Sequence, residues 1–287
     1  MSIASPLEGP EAGAPTRRSR MRAAVLQMTS TPDLDANLLS LERLVREAAS
    51  RGAELVVVPE SFAFIGSEEA KIGLAETLPE GGPILAWCRA LAIRERVHLL
   101  LGGFWESSPD PSRVYNTCVH LAPGGEVAAA YRKIHLFDVD LPDGTRLRES
   151  ETVLAGDAPV VTTTPFGPLG LSVCYDLRFP ELYRRLVELG AEALIVPSAF
   201  TLTTGKEHWH VLLRARAIES QAYVLAAAQT GRHFGRRVSY GHALIVDPWG
   251  TVISQCSEGE GLALAELDPA RVASVRRQLP SLTHRRL

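Results

Sequence analysis

Apolar residues fall in short unbroken runs or at helical spacing, and the two kinds of segment alternate along most of the chain. Met21–Met28 is a compact apolar run that predicts a strand. Thr31-Pro-Asp-Leu-Asp then supplies turn and capping residues. Leu38, Leu41, Leu44, Val45 and Ala48 recur at helical spacing until Gly52 ends the helix. Glu54–Pro59 carries Leu-Val-Val-Val, apolar on both faces, as in a strand covered from both sides. Strand, helix and buried strand within about 40 residues predict a βαβ unit with parallel strands.

Pro83 opens a second helix (Ile84, Trp87, Cys88, Leu91, Ala92), followed by a strand at Val97–Leu101. Tyr115–Leu121 and Val127–Lys133, joined by Pro123-Gly-Gly, predict a hairpin. Residues 136–158 contain the turn dipeptides Pro142-Asp and Asp143-Gly and predict a long loop, a feature that is usually functional or disordered in compact domains. Leu169–Val173 predicts a strand and 181–189 a helix. Ala193–Val196 is a strand whose run into Pro197-Ser198 echoes Leu55-Val-Val-Val-Pro-Glu-Ser61, suggesting two similar half-sheets. Glu207–Glu219 predicts a helix with Trp209, Leu212, Leu213 and Ile218 as its core stripe, and Tyr223–Ala228 a buried strand. Ser239–Val246 and Thr251–Cys256 predict a hairpin around Asp247-Pro-Trp-Gly250. Gly261–Leu267 adds a last strand, and a short basic helix follows Asp268. About ten strands with four or five helices, mixing crossovers and hairpins, place the chain in the α/β class.

No compositional break divides residues 21–287, so they predict one domain. Residues 1–20, rich in Pro, Gly, Ala and Ser and closing on Arg-Arg-Ser-Arg, predict a disordered tail. Hydrophobic residues at 46% and charged residues at 22% of 287 suit a soluble globular protein with a large core. A net charge of −3 and a pI near 6.3 argue against nucleic-acid and membrane-surface partners. No apolar run reaches the roughly 20 residues of a membrane span, and no apolar segment follows the N-terminal charges as a secretory signal requires. Cys88, Cys118, Cys174 and Cys256 lack metal or redox spacing, which predicts a reduced, cytoplasmic protein with no metal or other cofactor.

Cys174 stands where a strand stops and Pro180 restarts the chain as a helix, so it sits on an elbow next to unpaired, electropositive N–H groups. That setting suits a nucleophilic thiol. A buried structural cysteine is the plainer reading of a single cysteine. Glu60 and Lys133 also follow predicted strands, and the carboxyl ends of parallel strands share one edge where ligands bind. Alone, each is readily a solvated charge. Together they make coherent chemistry. Glu60, raised toward neutrality by an apolar setting, would take the thiol proton. Lys133 and the Tyr175 N–H would hold the oxyanion of a tetrahedral intermediate.

The same segments carry a resemblance. Val-Val-Pro-Glu60-Ser, Tyr-Arg-Lys133-Ile-His-Leu-Phe-Asp and Ser-Val-Cys174-Tyr-Asp-Leu-Arg-Phe-Pro-Glu181 resemble the three motifs of the nitrilase superfamily, the carbon–nitrogen hydrolases, over roughly 22–286. The resemblance implies a four-layer αββα sandwich and a Glu–Lys–Cys triad with Glu60 as base, Lys133 supporting the intermediate and Cys174 as nucleophile. It implies a small-molecule amide substrate and a homodimer or higher homo-oligomer. Arg148-Glu149-Ser150 is similar to a segment that carries a second glutamate in many members, which implies that Glu149 positions Lys133 and the substrate. Leu212–Glu219, Ala226–His233, Ser239-Tyr-Gly-His242 and Val246–Thr251 resemble the Nit branch. The nearest likeness within it is to amidases that split deaminated glutathione into 2-oxoglutarate and cysteinylglycine. Leu136–Pro142 and Thr203-Thr-Gly205 are shared with sister ω-amidases acting on 2-oxoglutaramate. By analogy with the branch, Arg178 pairs a substrate carboxylate, with Phe200 and Thr204, in the loop after the second Val-Pro-Ser strand, lining the pocket. An ion pair of Arg178 with Glu181 or Asp176 is the competing expectation.

Three other readings remain open on sequence. His208-Trp-His210 could mark a metal hydrolase, but i and i+2 on a helix face apart. A cysteine protease would use His135 or His208 as base. A non-catalytic interaction module on a hydrolase fold would have no need of this set of charged residues.

Overall fold

The computed structural model describes residues 18–140 and 146–286. The chain runs β1 (Met21–Met28), α1 (Leu34–Ser50), β2 (Leu55–Val58), α2 (Glu68–Gly73), α3 (Pro83–Glu95), β3 (His98–Ser107), β4 (Val114–Leu121) and β5 (Val127–Arg132). A ribbon of β6 (Asp138–Asp140) and β7 (Arg146–Arg148) follows, then β8 (Val153–Leu154), β9 (Val161–Thr163), β10 (Pro168–Leu171), α4 (Pro180–Glu188) and β11 (Ala193–Ile195). The last third comprises α5 (Leu202–Ser220), β12 (Tyr223–Ala226), β13 (Ala228–Arg232), β14 (Val238–Tyr240), β15 (Leu244–Val246), β16 (Val252–Gln255), β17 (Gly261–Leu267) and α6 (Pro269–Gln278).

Strand parity explains the layering. Ala24, Leu26 and Met28 of β1 share one buried cluster with Val56 and Val58 of β2, Leu99 and Leu101 of β3, and the apolar faces of α1 and α3. Ala23, Val25, Leu55, Val57 and Leu100 point the other way, into a second cluster with Leu169, Leu171, Leu194 and Ile195 and with Tyr183, Trp209 and Leu213 of α4 and α5. One sheet, in the order β14-β13-β1-β2-β3-β4-β5 with β17 on β1 and β8 on β4, therefore packs on another, β16-β15-β12-β11-β10-β9. Helices cover both outer faces. The architecture is the expected αββα sandwich.

The sheet directions assemble the site. β1, β2 and β3 are parallel, and β3, β4 and β5 form an antiparallel meander, so β5 again runs with β2. Their carboxyl ends open on one edge, followed by Glu60 and Lys133. In the facing sheet β10, β11 and β12 are parallel, and Cys174 follows β10. The register of β3 slips between Leu101 and Phe104, where Gly102 and Gly103 lie. A Cβ at Gly102 would stand 2.2 Å from the Pro197 Cβ, and one at Gly103, whose φ is +61°, would stand 2.7 Å from the Glu60 Cγ. This glycine bulge makes the room into which Glu60 turns.

Several expectations are corrected. The stretch 136–158 is not a plain loop, because β6 and β7 pair Asp138 with Arg148 and β8 joins β4. The run Tyr223–Ala228 is not one strand. β12 belongs to one sheet and β13 to the other, and the chain crosses between them at the buried Ala227. Ser239–Val246 divides in the same way into β14 and β15. Helix α5 starts at Leu202, five residues before the predicted Glu207, and Ile218 lies 47% exposed rather than in the core stripe. The expected disordered tail lies outside the described residues up to position 17. Arg18 pairs with Glu192, and the Ser19 N–H donates to the Pro165 carbonyl.

Candidate active site

Each charged group is placed by a local break in regular structure. The backbone turns left-handed immediately after Glu60, at Ser61 (φ +58°), and folds the carboxylate inward; Gln229 of β13 donates to the Glu60 carbonyl at 3.0 Å. Lys133 extends past the end of β5, its N–H donating to the Asn116 carbonyl at 2.8 Å. Cys174 begins a single 3₁₀ turn, Cys174–Arg178, with φ +47°, a conformation a non-glycine residue adopts only where its surroundings impose it. The imposing contacts are visible. Its N–H donates to the Pro197 carbonyl at 2.9 Å, and the turn is tied down by Asp176, which is fully buried. Asp176 accepts from the Val173 N–H (2.9 Å), the Tyr131 hydroxyl (2.8 Å), and the N–H and Nδ1 of His135 (3.1 and 2.7 Å).

The side chains converge. Lys133 Nζ lies 3.1 Å from Glu60 Oε1 and 2.8 and 3.0 Å from the two oxygens of Glu149. Asn116 Nδ2 donates to both carboxylates, at 2.9 Å to Glu60 and 3.1 Å to Glu149. The Ala199 N–H donates to Glu60 Oε2 at 2.8 Å and the Phe137 N–H to Glu149 Oε2 at 2.7 Å. Cys174 completes the set, its thiol hydrogen-bonded to the Glu60 carboxylate.

Electrostatics assign the protons, and one expectation fails here. Burial does push Glu60 upward, but the Lys133 ammonium and hydrogen bonds from Cys174, Asn116 and the Ala199 N–H outweigh it. The carboxyl sits below its ordinary range and is ionised at neutral pH, not raised toward neutrality. Burial and then the Glu60 charge push the Cys174 thiol well above its usual value, against the opposing pull of Lys133. Burial opposes the charge on Lys133, yet Glu149 and Glu60 hold its pKa above the ordinary lysine value. The resting arrangement is a thiol on a carboxylate, beside an ammonium. The Tyr175 N–H, second in the 3₁₀ turn, has no acceptor within that turn and is an available donor next to the sulfur.

Two arms of one cleft meet at Cys174. The smaller is lined by Tyr175, Arg178, Phe200, Thr201 and Thr204, so the predicted pocket residues share one cavity with the thiol. Thr204 lies in the first turn of α5, not in the preceding loop. Arg178 takes neither acidic partner considered for it. It contacts His208 Nδ1 at 3.2 Å and stacks over Phe200 at 5.0 Å, which leaves its charge uncompensated by any carboxylate among the described residues. Burial accordingly lowers its pKa. His208 and His210 diverge, the second contacting Gln255 at 3.0 Å. The larger arm runs past Glu60, Lys133 and Glu149.

Three residues of the site escaped sequence reasoning. Asn116 is a single polar residue inside an apolar strand, a signal that a buried partner awaits it. Asp176 was visible in the cysteine motif, but its partner Tyr131 lies on β5 of the other sheet and His135 in the segment that follows that strand. Gln229 looks like any strand glutamine until β13 brings it to Glu60.

Comparison with known proteins agrees with this geometry. Residues 22–277 match the model of the carbon–nitrogen hydrolase family. The chain belongs to that family. This carbon–nitrogen hydrolase is 50% identical over 266 residues to a Synechocystis protein named deaminated glutathione amidase, covering 92% of this chain and 97% of the relative. It is 49% identical over 270 residues to a human protein of the same name, covering 92% of this chain and 81% of that one. Yeast Nit3, described as a member of branch 10 of the nitrilase superfamily, superposes with a TM-score of 0.82 at 31% identity, covering 94% of this chain and 97% of that one.

Proposed function

We propose that this hydrolase is a cysteine amidase acting on deaminated glutathione, releasing cysteinylglycine and 2-oxoglutarate through a thioester. In this reading Glu60 takes the thiol proton as Cys174 attacks the amide carbonyl. Lys133 Nζ and the Tyr175 N–H receive the oxyanion, with Lys133 held in place by Glu149. Glu60 passes the proton to the departing amine and then activates water against the thioester. No step calls for a cofactor. Arg178, whose charge has no carboxylate partner among the described residues, would pair the carboxylate of the 2-oxoacid, with Phe200 and Thr204 shaping the acyl pocket.

The observation that carries the reading is the buried convergence of Glu60, Lys133 and Cys174, with Lys133 Nζ 3.1 Å from Glu60 and 2.8 Å from Glu149, in a cleft that also holds Arg178. The shared name of relatives near 50% identity supports the substrate. The test is to incubate the protein with deaminated glutathione and, separately, 2-oxoglutaramate, following cysteinylglycine and ammonia release. Turnover of the first at higher kcat/KM is expected. Faster ammonia release would make the protein an ω-amidase, and turnover of neither would refute an amidase of this substrate class.

The partners and location we infer follow from the surface and the thiols. α5 leaves Val211 (66%) and Ile218 (47%) exposed seven residues apart, and Gly250, beside exposed Trp249, packs on Ile218. Such an apolar face suits a second copy of the chain, in a homodimer. All four cysteines are free and buried, in keeping with a reduced, cytoplasmic setting. Among the described residues no helix is long and apolar enough to cross a membrane, and neither membrane nor nucleic acid enters this reading.

A further inference from the structure

The second arm of the cleft is far larger than an ammonia leaving group needs. Phe137, Cys174 and Ala199 border both arms, so the nucleophile stands at their junction. Beyond Glu60 the larger arm, a cavity of about 100 Å³ open to solvent, is walled by Phe64, Ile65 and Trp105 and carries Glu68, Lys71 and Arg237. Lys71 is no ordinary surface lysine. It is 7% exposed, pairs with Glu68, contacts Thr152 Oγ1 at 2.7 Å and lies over the Trp105 ring at 5.0 Å. Lys71 and Glu68 cancel in charge. Arg237 is exposed at the mouth, near enough for its charge to act on both, and makes no ion pair among the described residues. Arg146 and Arg236 line the adjoining basin, to which Arg237 also belongs.

The cleft thus offers, on either side of Cys174, a guanidinium that makes no ion pair among the described residues, Arg178 in one arm and Arg237 in the other. A substrate with one anionic end, such as a primary amide of a 2-oxoacid, uses only the first. An extended dipeptide leaving group spans about 7 Å, so its terminal carboxylate would fall well beyond the residues that touch the sulfur. We propose that the larger arm receives the leaving amine of a peptidyl amide, with Arg237 pairing its terminal carboxylate and the Lys71–Trp105 wall holding the intervening chain. This rests on the proposed function and deepens it. The enzyme reads a negative charge at both ends of the scissile amide, and Arg237 sets the preference for a peptidyl over a primary amide.

The test compares deaminated glutathione with its C-terminal carboxamide, which is neutral at that end, on the full-length wild type and on Arg237→Met and Arg237→Lys. Wild type is expected to favour the acid in kcat/KM by about tenfold or more, the usual worth of a charge-assisted contact. Arg237→Met should reduce that preference to within about threefold, and Arg237→Lys should restore part of it. Because Arg237 is exposed, thermal melts of the variants should match wild type. A wild type that treats acid and carboxamide alike, or an Arg237→Met variant that keeps the full preference, overturns the assignment of Arg237 while leaving the amidase intact. A wild type that releases no cysteinylglycine from either overturns the substrate reading itself, and this proposal with it.

Discussion

Replacing Glu60 by Gln should make the thiol more acidic and the enzyme slower at the same time. The Glu60 charge is the second largest influence raising the Cys174 thiol, after burial, and the hydrogen bond between them acts in the same direction. Glutamine removes the charge while keeping the shape, so thiolate forms at lower pH with Lys133 still beside it. Alkylation by iodoacetamide should therefore follow a profile displaced toward acid. Turnover should fall regardless, because the thiol proton loses its acceptor and the leaving amine its donor. Positioned proton transfer contributes about 10²- to 10⁴-fold, and kcat/KM should drop within that range. There is also a folding cost. Glu60 Oε1 accepts from Lys133 and Asn116, and Oε2 from the Ala199 N–H. A glutamine amide satisfies one side and presents its own donors to the other. One unmatched buried donor costs about 1–3 kcal/mol. For a chain of this size that corresponds to a Tm lower by about 2–5 °C. Turnover within tenfold of wild type, or an alkylation profile displaced toward alkali, would refute the reasoning.

Three further outcomes are expected. The pH profile of kcat/KM should be flat across neutrality. Its acid limb should lie below the ordinary glutamate value of 4.5 and its alkaline limb above the ordinary thiol value of 9.0, since Glu60 is held down and Cys174 pushed up. A limb near 6.5, the range of an ordinary imidazole, would put a histidine in the base's place. Arg178→Met should lower kcat/KM for 2-oxoacid amides by about 10- to 100-fold, with Arg178→Lys recovering only part, because lysine lacks the planar fork; equal activity of the methionine variant would remove Arg178 from the site. Val211→Asp, at a position 66% exposed, should convert a dimer to a monomer in sedimentation velocity with an unchanged circular dichroism spectrum. A wild type that sediments as a monomer at micromolar concentration would contradict the proposed interface.

What the sequence made legible was governed by the range of the interactions involved. β1, α1 and β2 could be read because periodicity and caps are local, and the Asp33 side chain does accept from the Ala36 N–H at 3.0 Å. The sheet crossing at Ala227 could not. An unbroken apolar run suits a buried strand in either sheet, and only the pairing of Ala226 with Leu244 and of Ala228 with Gln27 reveals the switch. The exposure of Ile218 was hidden for a similar reason, because an apolar residue on α5 reads as core whether it faces this chain or a partner. At the site, Glu60, Lys133 and Cys174 were legible as residues that follow strands. The protonation state was not. It depends on the sum of burial, one ammonium and three hydrogen bonds to Glu60, all from segments distant in sequence.

That protonation state separates this site from the one its elbow suggests. A thiol at the start of a long helix is ionised by the helix field, but the turn after Cys174 is a single 3₁₀ turn of five residues, and Pro180 begins α4 only after it ends. The nearest full charges dominate instead. Glu60 and Glu149 against Lys133 leave one excess negative charge, and ionising Cys174 would raise it to two in a buried setting. Sulfur therefore keeps its proton until something shares the charge. In the proposed mechanism a bound amide supplies it, because the carbonyl oxygen becomes the site where negative charge collects, between Lys133 Nζ and the Tyr175 N–H. Deprotonation and attack are coupled in that mechanism, and the idle thiol reacts slowly with other electrophiles at neutral pH. Glu149 follows from the same balance. Without it Lys133 would be neutralised by Glu60 alone, drawing that carboxylate toward the ammonium and away from the sulfur. In the proposed mechanism the second glutamate occupies the lysine so that the first remains free to take the proton.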